Sequence, residues 1–177
     1  MPESNIPTQI VLFTQQHSIM GGVFLKEQRL SDLLNDLRDK NIRLRNASVA
    51  RLADPAKILV KTQFSLVPKS GVLLAFEPPQ AGPTSPRRFI RYPKQKYPVF
   101  ILMDGIEVRG DVHVQGALDL MVLMAGTGES FLPLTQATVT FEAHPGSLLR
   151  REAVIVNIQR IRFIGEIKDR PKTEPTS

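Results

Sequence analysis

Residues 10–77 and 97–166 carry the same order of apolar and turn positions at an offset near 89, and this internal duplication limits the chain to folds built from two similar units. IVLFT at 10–14 falls on VFILM at 99–103. SIMGGVFL at 18–25 falls on EVRGDVHV at 107–114, which aligns Gly21 with Gly110 and Val23 with Val112. IRLRNASVA at 42–50 matches FLPLTQATV at 131–139 with a one-residue slip, and SLVPKSGVLLAFE at 65–77 matches VIVNIQRIRFIGE at 154–166. Each half reads as strand, strand, short helix, strand, strand, strand.

The alternations Ile19, Gly21, Val23, Leu25 and Val108, Gly110, Val112, Val114 have the two-residue period of a half-buried strand. Asp104-Gly105 supplies hairpin-turn chemistry before the second of them. A glycine at the same mid-strand place in both halves indicates a bulge or a sharp bend, which lets a small sheet curl. RLSDLLNDLRDK at 29–40 sets Leu30, Leu33, Leu34 and Leu37 on one helical face, with Ser31 as the expected cap. In the second half LDLMVLMAGTG at 118–128 has Asp119 as cap and Gly126 as stop, and it is apolar all round. Leu120, Met121, Leu123 and Met124 are therefore expected to be enclosed, between the halves or against another subunit. A unit of about 70 residues has a marginal core, so the halves are expected to pack together or to oligomerise.

The resulting expectation is a mainly β protein: two tandem five-stranded Sm/SH3-like barrels, each with one short helix, packed as a pseudo-symmetric pair. The divisions are a flexible N-terminus at 1–9, a first repeat at 10–77, a Pro/Arg-rich linker at 78–96, a second repeat at 97–166 and a disordered tail at 167–177. Prolines 78, 79, 83, 86 and 93 make the linker a semi-rigid extended spacer.

The net charge of +6 over 177 residues is unevenly spread. The first repeat holds 10 basic and 6 acidic groups, the linker 5 and 0, and the second repeat 5 and 8. A phosphate-binding face over the whole protein is thus not expected. The absence of cysteine excludes disulfides and thiolate catalysis, and three histidines make a zinc site an unfavoured reading. MPESNIPTQIVLFTQQ reads neither as a signal peptide nor as a spanning helix, so a cytoplasmic, soluble protein without membrane insertion is expected.

Three resemblances follow from these motifs. VFILMDGIEVRGDVHV, then FLPLTQATV, then VIVNIQRIRFIGE resembles the Sm-like five-stranded barrel, which implies that fold for both repeats. Sm-like proteins read RNA through an Asp-x-x-x-Asn type segment and an Arg-Gly pair. Here DLLN at 32–35 is one residue shorter, and residues 155–157 read IVN. RLSDLLN, an Ala-Ser-Val or Ala-Thr-Val strand and VNIQRIRFIGE are also similar to a family of small uncharacterised bacterial proteins, which brings no chemistry with it. RRFIRYPKQKYPVFILMDGIEVRGDVHV looks like the start of a PilZ domain. That likeness implies cyclic di-GMP held by Arg87, Arg88 and Arg91, although His113 and Gln115 stand where the second PilZ motif has aspartate and serine.

No catalytic set, phosphate-cradling glycine loop or dinucleotide fingerprint is present in the sequence. His17 is expected in a turn, His113 on a strand and His144 in the turn EAHPGS, each solvated or locally hydrogen-bonded. Asp104, Glu107 and Asp111 would gather near one hairpin, with turn solvation as the ordinary reading. The leading expectation is a non-enzymatic interaction or assembly module, without cofactor or metal, acting on itself or a protein partner through strand edges and the apolar helix face. The alternative is nucleic-acid binding through Arg38, Lys40, Arg43, Arg45, Arg87, Arg88, Arg91, Lys94 and Lys96. A further alternative is cyclic di-GMP sensing of degenerate PilZ type.

Overall fold

The computed structural model describes residues 6–79, 94–126 and 128–168. In chain order it contains β1 (Thr8–Phe13), β2 (His17–Val23), α1 (Leu30–Asn35), β3 (Asn41–Arg51), β4 (Asp54–Pro68) and β5 (Leu74–Phe76). There follow β6 (Gln95–Met103), β7 (Ile106–Val114), α2 (Leu120–Ala125), β8 (Phe131–Phe141), β9 (Leu148–Asn157) and β10 (Ile161–Glu166). The protein is mainly β, as expected, but the strands do not form two closed barrels. They make one antiparallel sheet of ten strands in the order β10-β6-β7-β8-β9-β5-β1-β2-β3-β4, and the sheet is not closed on itself.

Each run of five strands in that order has the same internal arrangement, because β10 flanks β6 as β5 flanks β1. The repeat holds at the level of residues. Gly165 faces Phe100 as Phe76 faces Val11, and the 3-10 turns Lys69–Gly71 and Ile158–Arg160 occupy matching places 89 residues apart. Strands begin slightly earlier than the sequence pattern indicated, at Thr8 rather than residue 10 and at Gln95 rather than residue 97. Backbone pairing continues beyond the apolar run that marked each boundary.

The repeated glycines do mark bulges. Register slips between Met20 and Gly22 in β2 against β3, and between Arg109 and Asp111 in β7 against β8. The extra residues lie on the partner strands, where Asn46 and Gln136 adopt positive φ of 48° and 50°. Bending the partner inward brings its backbone and side chains over the glycine. A Cβ at Gly21 would meet the Cβ atoms of Ala47 and Leu44 at 3.1 and 3.2 Å, and one at Gly110 would meet the Thr135 carbonyl oxygen and Leu134 Cβ at 3.1 and 3.2 Å.

The core has two parts that share a wall. Ile10, Leu12 and Ala75 pack in one with Leu30, Leu34, Leu44 and Val72, whereas Val11, Phe13, Leu74 and Phe76 pack in the other with Ile101, Val108, Leu134 and Val156. Successive side chains of a strand point to opposite faces. β1 and β5 therefore bury both faces, one against each half, and all of Ile10, Val11, Leu12 and Phe13 are removed from solvent.

Both helices differ from their sequence patterns. α1 stops at Asn35 instead of continuing to residue 40, and Leu37 is exposed. Ser31 is not its cap: Arg29 flanks the helix, and the Asp32 carboxylate accepts the Arg29 backbone N–H at 3.0 Å. At the other end Lys69 Nζ donates to the carbonyls of Leu33 and Asp36 at 2.7 and 2.8 Å, which satisfies acceptors that a longer helix would have used. In α2 the expected cap and stop hold. The Asp119 carboxylate accepts from the N–H groups of Met121 and Val122, and Gly126 ends the helix at φ 53°. Enclosure of α2 between the halves does not hold: none of its residues is buried within the chain, because only one side rests on the sheet.

Candidate interaction surface

The joint between the halves is made by β9 and β5, where Leu74 faces Val156 and Ala75 faces Ile155. Through this pairing Ile155, a second-half residue, enters the core of the first half and is 7% exposed. Two buried or half-buried amides close the joint. Asn157 donates from its backbone to the Leu73 carbonyl at 2.9 Å, and its side chain donates to the Val72 carbonyl at 2.9 Å. Asn35 Oδ1 accepts from Ser130 and Phe131 N–H groups, both at 2.9 Å, while its Nδ2 donates to the Phe131 carbonyl. α1 is thereby fastened across the seam to the start of β8.

The two ends of the sheet have no such neighbour among the described residues. β4 is the longest strand, and along it Ile58, Leu59, Val60, Phe64 and Leu66 are exposed. Leu66 matches Ile155 in the repeat, yet it is 55% exposed. At the opposite end Phe163 of β10 matches Leu74 and is 52% exposed, whereas Leu74 is fully buried. Phe100 and Leu102, the matches of Val11 and Phe13, are only half-buried. An unpaired strand of this length presents a row of free backbone donors and acceptors, and apolar side chains beside it favour an added strand. The chemistry of both ends is that of strand pairing.

On α2 the expected interface residues divide. Leu123 and Met124 pack on the second core and Leu120 is half-buried, while Met121 projects at 82% exposure and Val122 beside it is also exposed. Met121 and Val122 are the residues available to a partner, and sequence inspection did not single out Val122.

The described members of the basic set fall at separate places in the strand order. Arg87, Arg88 and Arg91 lie outside the described residues. Lys96 is on β6 with Lys94 just before it, whereas Arg43 and Arg45 are on β3, with six strands between β6 and β3 in the sheet. Arg38 is held by Asp36 through a pair of bonds at 2.9 and 2.7 Å, which raises the guanidinium pKa and holds the Asp36 carboxyl well below the usual range. Arg43 pairs with Asp39 at 3.0 Å, Arg45 lies over the Phe64 ring at 5.2 Å, and Lys40 is exposed. Local acids thus engage Arg38 and Arg43 and a ring engages Arg45, while Lys40, Lys94 and Lys96 are exposed.

No group of three or more His, Asp or Glu side chains that could hold a metal ion is formed among the described residues. His17 begins β2 opposite Arg51 rather than standing in the turn. It lines an open depression of about 310 Å³ with Gln15, Gln16, Arg51, Leu52, Ala53 and Ala143, which contains no carboxylate to orient the ring. His113 Nε2 and Thr135 Oγ1 are 2.6 Å apart, and burial followed by the nearby Lys96 charge lowers the imidazole pKa. His144 sits in its turn and bonds the Phe141 carbonyl through its backbone N–H. The three acids separate: Asp104 pairs with Arg162 at 2.9 Å, Glu107 accepts from Thr140, and Asp111 is buried beyond the bulge. β7 runs away from its turn, so residues seven positions apart cannot converge. No helix among the described residues is long and apolar enough to cross a membrane. Comparison of the chain with protein-family models, curated proteins and solved structures finds no match.

Proposed function

We propose that this protein is a non-enzymatic interaction or assembly module that takes up a further β-strand at the edge of its sheet, with the exposed side of α2 as an accessory contact. The observation that carries the reading is Leu66: an apolar side chain more than half exposed on an edge strand, at the repeat position where Ile155 is covered by a neighbouring strand. Added strands gain backbone hydrogen bonds, and alternate side chains seat in the apolar surface beside them. In this reading the two five-strand runs are copies of one small β unit of the kind that the Sm-like resemblance implies.

The test uses the wild-type chain and a Leu66→Lys, Phe64→Lys variant as immobilised baits, with light scattering over a range of concentrations. The wild type is expected to self-associate or to retain a protein partner, and the charged variant to lose that binding while keeping its thermal transition. A strict monomer at high concentration together with an empty bait would sink the proposal.

A further inference from the structure

Resting on that reading, the geometry points to the identity of the added strand: it is β10 of a second copy of this chain, paired head to tail with β4. The joint inside the molecule is the template. There a strand of the β5 type pairs with one of the β9 type, and in the repeat β10 corresponds to β5 while β4 corresponds to β9. Among the described residues every molecule thus carries one unused partner of each type, at opposite ends of its sheet. Transferring the internal register to the free ends places Phe163 opposite Val67 and Ile164 opposite Leu66. Leu66 would then enter the same kind of contact that buries Ile155, and Phe163 that of Leu74.

Charge selects this pairing over two β4 strands meeting each other. The first repeat has 10 basic and 6 acidic groups and the second 5 and 8, so a head-to-tail contact joins a positive unit to a negative one, as the internal joint does. A β4-to-β4 contact would face two positive units. Such a heterologous contact continues from copy to copy, into a ring where the rotation between copies closes and into a filament where it does not.

Two differences make this contact weaker than its template. Pro68 stands where Asn157 donates to Leu73, and it has no N–H to give. Ala125 stands where Asn35 grips Ser130 and Phe131. The association is accordingly reversible and depends on concentration, unlike the joint within the chain.

The absence of cysteine permits a clean test. Full-length Leu66→Cys and Ile164→Cys are prepared separately, mixed, and treated with a short bifunctional maleimide. Opposed residues in an antiparallel pair have Cβ atoms about 4.5–5.5 Å apart, so the mixture should give cross-linked dimer in large excess over either variant alone. Phe64→Cys with Glu166→Cys lies on the same register at two exposed positions and repeats the test should Ile164→Cys fail to fold. Leu66→Cys that cross-links with itself as well as the mixture does would overturn the head-to-tail arrangement in favour of β4-to-β4 pairing. No product from either pair of variants, with the wild type monomeric by sedimentation, overturns self-pairing. Strand addition as such then falls only if the immobilised wild type also retains no partner.

Discussion

Ile155 and Leu66 occupy the same place in two copies of one pattern, and they have opposite fates. Ile155 is covered because β5 lies beside its strand, whereas Leu66 lies on the last strand of the sheet and meets solvent. An equivalent residue in an equivalent strand is therefore core or surface according to the presence of a neighbour. A closed joint and an open one are present in the same molecule, which makes each the control for the other.

The largest expected effect comes from cutting back that pair. Ile155→Ala should cost about 2–5 kcal/mol, the usual range for truncating a buried aliphatic chain. Leu66→Ala in dilute monomer should change stability by less than about 0.5 kcal/mol, as for other surface positions. Urea denaturation measures both, and equal costs would show that the two joints do not differ as described. Next are the bulge glycines. Gly21→Ala and Gly110→Ala each drive a methyl into Cβ or carbonyl neighbours at 3.1–3.2 Å, and overpacking of this kind costs about 1–3 kcal/mol. Similar losses in the two halves would confirm that the bulges are equivalent; a loss in one alone would break the repeat at that point.

Asn35→Ala removes the acceptor of two backbone N–H groups at the seam and should cost about 1–3 kcal/mol. The matching Ala125→Asn is expected to leave the monomer unchanged in the same denaturation experiment. The smallest effect is that of pH. His113 has its pKa lowered in the folded state, chiefly by burial, so the unfolded chain takes up its proton first as pH falls. Its contribution is flat above the ordinary histidine value of about 6.5, and stability declines below it. His113→Gln should flatten that part of the Tm profile; a profile unchanged by the substitution would remove His113 from the account.

The duplication, the order of strands and helices in each half, the bulge glycines and the cap and stop of α2 were all legible in the sequence, because each has a local signature in spacing or turn chemistry. The joint was not. Nothing local to Asn35 or Asn157 says that their amides will bridge residues about 90 positions away, and Lys69 reads as one more surface cation although it satisfies the end of α1. Enclosure of α2 between the halves failed for a related reason. Apolar composition shows what a helix can tolerate being buried against, but the position of Met121 is decided by which strands reach it.

The shared wall of β1 and β5 bears on how the chain is born. Ala75 leaves the ribosome well before its partner Ile155, 80 residues later in the chain. At synthesis rates of about 5–20 residues per second the delay is roughly 4–16 s. Through that interval the first half exists with Val11, Phe13, Leu74 and Phe76 uncovered. Its β5 edge is then open to the β9 of its own chain, once made, and to the β9 of another chain whose joint has not yet closed. Exchange of whole halves between nascent molecules is thus a hazard built into the order of synthesis, and dilution or slow expression lessens it.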